Sequence, residues 1–339
     1  MAFGLDLLNT AMRRSLFDFK DPAVIARLDS MVAVVGNTLY SNIAPVLVLA
    51  LKCAVRIIKC PLRSLDKSIP VFVHQILDIV RRTGNTESDV VQAAFKSLAV
   101  MIRDCPNAQI KEKDLVYLLG LLSPDLEEPE RQLSVLTMLR AIVARKFVVP
   151  EIYDLMDKVS EIMVTNQSPH VQEHCRLVFL LFLLDYPQGK GRLRNHMTFL
   201  AKNLSYVHES GRKSVMELLS AIIQKFEVTL IREYADMLFV ALVMVIANDD
   251  SAKCREMAAE LIKSLFPRLE ADHRRVVMSY LHSWAAEHSK PQLVKVSSQI
   301  YGLIVDQLQK DVEPYVPAML GDLNAAIGLS AQVSSDDAD

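Results

Sequence analysis

The chain has 339 residues, 51% of them hydrophobic, with only 10 glycines and one tryptophan. That excludes disorder over most of the length and favours an all-α chain. Thirty-eight basic against 40 acidic side chains leave a formal charge of −2, which excludes a global pull toward nucleic acid or anionic lipid.

Residues 1–20 read as a partial helix, with no basic region followed by an apolar block and so no signal peptide. Beyond them, turn signals recur between apolar runs: "YSN" near 41, "GNTES" near 86, "SPD" near 125, "NQSP" near 167, "HESG" near 209, "NDDS" near 250 and "HSKP" near 289. The successive steps are 45, 39, 42, 42, 41 and 39 residues. An amphipathic helix precedes each turn and another follows it. Gln92, Gln132, Gln172 and Arg212 open the following helices at equal steps of 40, and Lys253 stands 41 further on. Ser168 before Pro169, Ser210, and Asp250 or Ser251 have the chemistry of helix N-caps. A helix–turn–helix unit of about forty residues is the HEAT pattern.

The expected fold is therefore all-α, a HEAT/armadillo-like α-solenoid of about seven helix-pair repeats. The repeats fall near 21–60, 66–106, 110–147, 150–186, 192–228, 231–267 and 272–309, within a single domain spanning 1–326. Stacking buries in each unit the face that one pair cannot bury alone. Helical spacing places Phe179, Leu183, Leu218, Ile222, Phe239 and Val243 in that core. A short last helix is expected at 314–326 and a disordered acidic tail at 327–339. The longest uncharged apolar run, "MLFVALVMVIA" at 237–247, is too short to span a bilayer. The opening Met followed at once by helical sequence, and the abrupt "SSDDAD" end, read as the limits of a segment from a longer chain.

Few residues carry catalytic chemistry. The five cysteines, Cys53, Cys60, Cys105, Cys175 and Cys254, are scattered and form no C-x-x-C pair. They read as reduced thiols of the cytosol or nucleus. "NLSYVHESGRKS" brings His208, Glu209 and Ser210 together, but in register with the other turns, where adjacent residues do not point at one another. His170 and His174 have metal-compatible spacing beside Cys175, yet the acid of an H-E-x-x-H motif does not follow the first histidine; Gln172 and Glu173 lie between the two instead. A metal-dependent helical enzyme built on these three residues is the catalytic alternative. "QGKGR" at 188–192 is not a phosphate loop. Asp249 and Asp250 suit a helix N-terminus. No catalytic, cofactor-binding or metal set is expected.

One charge feature stands out. Lys190, Arg192, Arg194, Lys202, Arg212 and Lys213 face Glu209 alone between residues 189 and 213. They are the candidate contacts for RNA phosphate or an acidic partner. The linker "QGKGRLR" and the turn "SGRKS" lie at opposite edges of a two-helix unit, so the cluster reads as one ridge only if Lys202 bridges it.

Several stretches resemble a known family. They are Cys175–Arg176 running into "LDYP" at Leu184–Pro187, "HESGR" at His208–Arg212, "NDDSAKC" at Asn248–Cys254, "FGLDLLNTAMRR" near the start and "ARKFVVPEI" at 144–152. Together they resemble the very large HEAT-repeat scaffold of the small-subunit processome, the U3 small nucleolar RNA-associated family also called "down-regulated in metastasis". The likeness covers roughly residues 1–270 and implies an internal segment. It implies a non-catalytic scaffold in ribosome biogenesis, acting in the nucleus and nucleolus in 18S pre-rRNA processing. The implied partners are pre-ribosomal RNA and assembly factors, with no cofactor, small-molecule substrate or membrane. A transport or general adaptor solenoid binding peptide cargo is the alternative binding module.

Overall fold

The structure, a computed structural model, describes residues 1–336, the side chains of Lys190 and of residues 329–336 excepted. Among the described residues there are α-helices and short 3-10 segments and no strand. The chain divides into two compact units.

The first comprises residues 1–160 and 177–186. It holds α1 (Ala2–Arg13), α2 (Pro22–Thr38), α3 (Ala44–Ile57), α4 (Leu65–Thr83), α5 (Asp89–Asp104), α6 (Glu112–Asp125) and α7 (Gln132–Ala144). α8 (Pro150–Thr165) and α9 (Pro169–Asp185) are divided between this unit and the second. α2 packs on α3, α4 on α5 and α6 on α7. α1, α3, α5 and α7 stack side by side as one layer, with α2 and α4 stacked in the other.

Local chemistry sets the helix ends. The Asp21 carboxylate accepts from the Ala23 N–H at 2.8 Å with Pro22 at the first helical position. Gly84, at φ +64°, ends α4 in the left-handed conformation. The core holds Leu51, Phe72, Phe95, Leu98 and Phe179, each almost fully enclosed. Burial of each contributes about 1.5–3 kcal/mol. Polar ties cross between neighbouring repeats. Ser97 Oγ donates to the Leu51 carbonyl at 3.4 Å, and Arg145 donates to the carbonyls of Ile102 (2.9 Å) and Cys105 (2.8 Å). These arginine bonds satisfy acceptors that the end of α5 leaves without an intrahelical partner.

The second unit comprises residues 161–176 and the chain from Pro187 onward. Its helices are α10 (Gly189–Asn203), α11 (Glu209–Lys225), α12 (Val228–Asn248), α13 (Ala252–Leu265), α14 (Ala271–Ala285), α15 (Pro291–Leu308) and α16 (Val316–Asp336). α11, α13 and α15 form one layer; α10, α12, α14 and α16 form the other. Leu183 in the first unit, and Leu218, Ile222, Phe239 and Val243 in the second, are all buried.

Three boundaries differ from the sequence expectation. "SPD" lies in the last turn of α6 rather than in the loop, because Leu126 continues helical geometry past Pro124. "QGKGRLR" is mostly helix, since α10 begins at Gly189. Where a disordered tail was expected from 327, α16 runs on through Asp336, and residues 337–339 lie outside the described residues. The continuation contains no proline to break the helix.

Candidate functional site

Five successive intra-pair turns, from α4–α5 to α12–α13, share one device. Gln92 Nε2 donates to the Thr86 carbonyl, Gln132 Nε2 to Leu126 and Gln172 Nε2 to Asn166, each at 2.8 Å. Arg212 NH1 donates to Tyr206 at 2.9 Å and Arg255 NH1 to Asp249 at 2.6 Å. In every case a side chain in the first turns of the second helix reaches back six residues. It holds a carbonyl that the turn would otherwise leave without a partner. The fifth member is Arg255, not Lys253, which pairs with Glu256 at 3.4 Å on the helix surface.

Arg212 does more than clamp its own turn. Its Nε lies 2.8 Å from Asp249 Oδ2, and its NH2 lies 2.9 Å from both Asp249 Oδ1 and Asp250 Oδ1. The Arg212 and Asp249 side chains are 9% and 4% exposed. A planar guanidinium with five donors can serve two turn carbonyls and two carboxylates at once, where a lysine could not. Asp249 Oδ1 also accepts from the Ser251 N–H at 2.8 Å, so it orders the start of α13. The ordinary Asp250 carboxyl pKa is lowered, first through its hydrogen bond with Asp249 and then by the Arg212 charge.

The neighbouring residues of "HESGR" are structural as well. Gly211 packs so tightly that a Cβ there would fall on the Val164 carbonyl oxygen and 2.5 Å from Cδ1 of Tyr206. Ser210 is not the N-cap. α11 starts two residues early, with His208 at the cap, and the Ser210 hydroxyl donates to Gln167 Oε1 of the preceding turn at 3.1 Å. Arg176 joins the same end of the unit, 2.6 Å from Glu217 and 3.0 Å from Ser214 Oγ.

The six candidate cations therefore divide. Arg192 and Arg194 are exposed in the first turns of α10, and the Lys190 side chain lies outside the described residues. Lys202 is exposed in the last turn of the same helix, about 15 Å further along at 1.5 Å per residue. It lines a groove of about 520 Å³ that also contains Arg212, Asp249 and Asp250. Lys213 pairs with Glu209 at 3.4 Å. Arg212 drops out of the candidate set because it is buried and its charge is met by two carboxylates. At the turn end the cations are met by Asp249, Asp250 and Glu209.

The histidine alternative takes an ordinary form. His174 Nδ1 lies 3.0 Å from the His170 carbonyl, and the two rings meet edge to face at 4.5 Å. Cys175 points into the core, and burial pushes its thiol up to about 12. Among the described residues no group of three or more His, Cys, Asp or Glu could hold a metal ion. No helix among them is long and apolar enough to cross a membrane.

Stacked helix pairs, short turns and a clamp repeated turn after turn define a HEAT/armadillo-like α-solenoid. Two solved structures share this fold at a TM-score of 0.51 each. One is an engineered protein, 16% identical over 96% of this chain and 80% of its own. The other is a chain from the structure of Kap95p bound to RanGDP, 15% identical over 91% of this chain and 40% of its own. No family model matches. The sequence is 36% identical over 288 residues to U3 small nucleolar RNA-associated protein 20 of Schizosaccharomyces pombe, covering 85% of this chain. It is 33% identical over 302 residues to the protein of the same name from Saccharomyces cerevisiae, covering 88%. The chain is thus homologous over most of its own length to the U3 small nucleolar RNA-associated protein 20 family, and it spans about 12% of the length of these relatives.

Proposed function

We propose that this chain is a non-catalytic scaffold segment acting in ribosome biogenesis, within the small-subunit processome during 18S pre-rRNA processing. The observation that carries the reading is the 36% identity to a protein named for its association with U3 small nucleolar RNA. A stack of helix pairs supports it physically: a long surface can hold several weak partners whose contacts reinforce one another through effective concentration. The partners proposed are pre-ribosomal RNA and assembly factors, and the compartment is the nucleus, at the nucleolus. Arg192 and Arg194 are the proposed contacts for RNA phosphate. No catalytic step, cofactor or small-molecule substrate belongs to this reading.

The experiment is replacement of the matching segment in the fission-yeast relative. Deleting it should cause unprocessed small-subunit precursor RNA to accumulate, and inserting this chain in its place should restore processing. Normal processing in the deletion strain would overturn the proposal.

A further inference from the structure

In the first compact unit, α3 and α5 lie side by side and enclose a groove of about 1000 Å³. Its floor is apolar, with Val48, Leu49 and Val55 from α3 and Val90, Ala93 and Val100 from α5. Its walls are basic. Lys52 and Arg56 stand one turn apart on α3, Lys59 follows in the turn just beyond it, and Lys96 faces them from α5. The Ser97 hydroxyl meets the Leu51 carbonyl at 3.4 Å, so Lys52 and Lys96, each next in sequence to one of these, stand level on opposite walls. Both are exposed, and among the described residues neither has a carboxylate within ion-pair distance. Arg56 is held by Asn9 Oδ1 at 2.7 Å. The one carboxylate lining the groove is Asp89, at the first residue of α5 and away from the Lys52–Lys96 level.

We propose that this groove docks an acidic, amphipathic segment of a partner protein, with carboxylates between Lys52 and Lys96 and apolar side chains on the valine floor. Charge complementarity selects the occupant: two lysines level across a narrow apolar channel carry positive charge that the fold itself leaves unanswered. A protein segment fits better than RNA. None of the lining residues is aromatic, so bases would find nothing to stack on, and an apolar floor offers no return for a phosphate backbone. Along α3 the lining runs from Ala44 to Arg56, about 18 Å on the helix axis, and continues to Lys59 in the turn beyond, enough for roughly four turns of a bound helix. The inference stands apart from the ribosome-biogenesis reading, because it depends only on this groove.

The test uses the full 339-residue chain in fluorescence anisotropy against three probes. One is a Glu/Leu/Ala helix about 16 residues long with its acids on one face, matched to the groove length. The others are its Gln counterpart and a uridine single strand of similar length. The acidic peptide should bind, should weaken with salt, and should lose about tenfold or more in affinity in the Lys52→Glu/Lys96→Glu variant. Val55→Ser should weaken binding without altering the salt dependence. If the charge-reversed variant loses helical circular dichroism, Lys52→Gln/Lys96→Gln takes its place. The proposal is overturned if the acidic peptide does not bind, or if the Gln peptide binds as well. It is equally overturned if a folded variant binds unchanged, or if the uridine strand binds through these lysines in preference to the peptide.

Discussion

Arg212, on the second helix of one pair, holds Asp249, at the turn of the next, through two contacts of 2.8 and 2.9 Å in a nearly closed site. The same guanidinium holds the carbonyls of Tyr206 and Val207 in its own turn. Arg212→Ala should cost about 3–5 kcal/mol, because it strands a buried carboxylate as well as two carbonyls. Arg212→Gln copies the residue found at 92, 132 and 172, and should keep the turn clamp while losing the ion pair. Adding Asp249→Asn to it should recover much of the loss, since no buried charge is then left alone. Urea titration of the four proteins reads the order directly, and an Arg212→Gln as damaging as Arg212→Ala would show that the clamp is dispensable.

Gly211→Ala tests packing rather than charge. The added methyl would collide with the Val164 carbonyl, which is backbone and cannot swing aside as a flexible side chain could. A loss of about 1–3 kcal/mol is expected. An unchanged melting temperature would mean that α11 can slide away from the preceding turn.

Burial raises the thiols of Cys175, to about 12, and Cys53, to about 11, from an ordinary 9.0. The unfolded chain releases these protons near pH 9, while the folded chain keeps them. Stability should therefore be full below about pH 9 and decline as pH rises toward the folded values. At pH 8 a thiol reagent should modify Cys175 only after denaturant is added. Rapid labelling of this residue in the folded protein would contradict its enclosure.

Replacing His170 and His174 together should change stability by less than about 0.5 kcal/mol, since both lie on the accessible side of the first turns of α9. Zinc added to the unmodified protein should leave its melting temperature where it was. A zinc-dependent rise that vanishes in the double variant would restore the metal-site alternative.

Charge reversal at Arg192 and Arg194 should weaken binding of single-stranded RNA without altering the helical spectrum. The remaining affinity should depend less steeply on salt. Reversal of Lys213, already paired with Glu209, should matter much less. Equal effects of the two reversals would support a single ridge after all.

The repeat was legible because the turns punctuate the chain at nearly constant steps, and because Gln92, Gln132, Gln172 and Arg212 mark one structural position. The step then changes to 43, at Arg255. A residue count alone selects Lys253; only the direction of the side chain, back over the turn, identifies Arg255. The basic cluster failed in part for a similar reason. Linear counting records Arg212 as a positive charge beside Lys213, but cannot see that one points inward to Asp249 and the other along the surface to Glu209. The α3–α5 groove was out of reach of any local window, because Lys52 and Lys96 become neighbours only when successive repeats stack.

Each turn clamp closes within seven residues, so it travels with its turn. α10 has 15 residues and α12 has 21, yet the turn after each is held by the same six-residue reach. Helix length and junction geometry are thereby uncoupled. Such a chain can gain or lose residues inside one helix without rebuilding the hinge beside it. Insertions of a turn or so in the helix bodies are the changes this architecture should absorb most readily, and single-residue changes inside the clamps the ones it should resist.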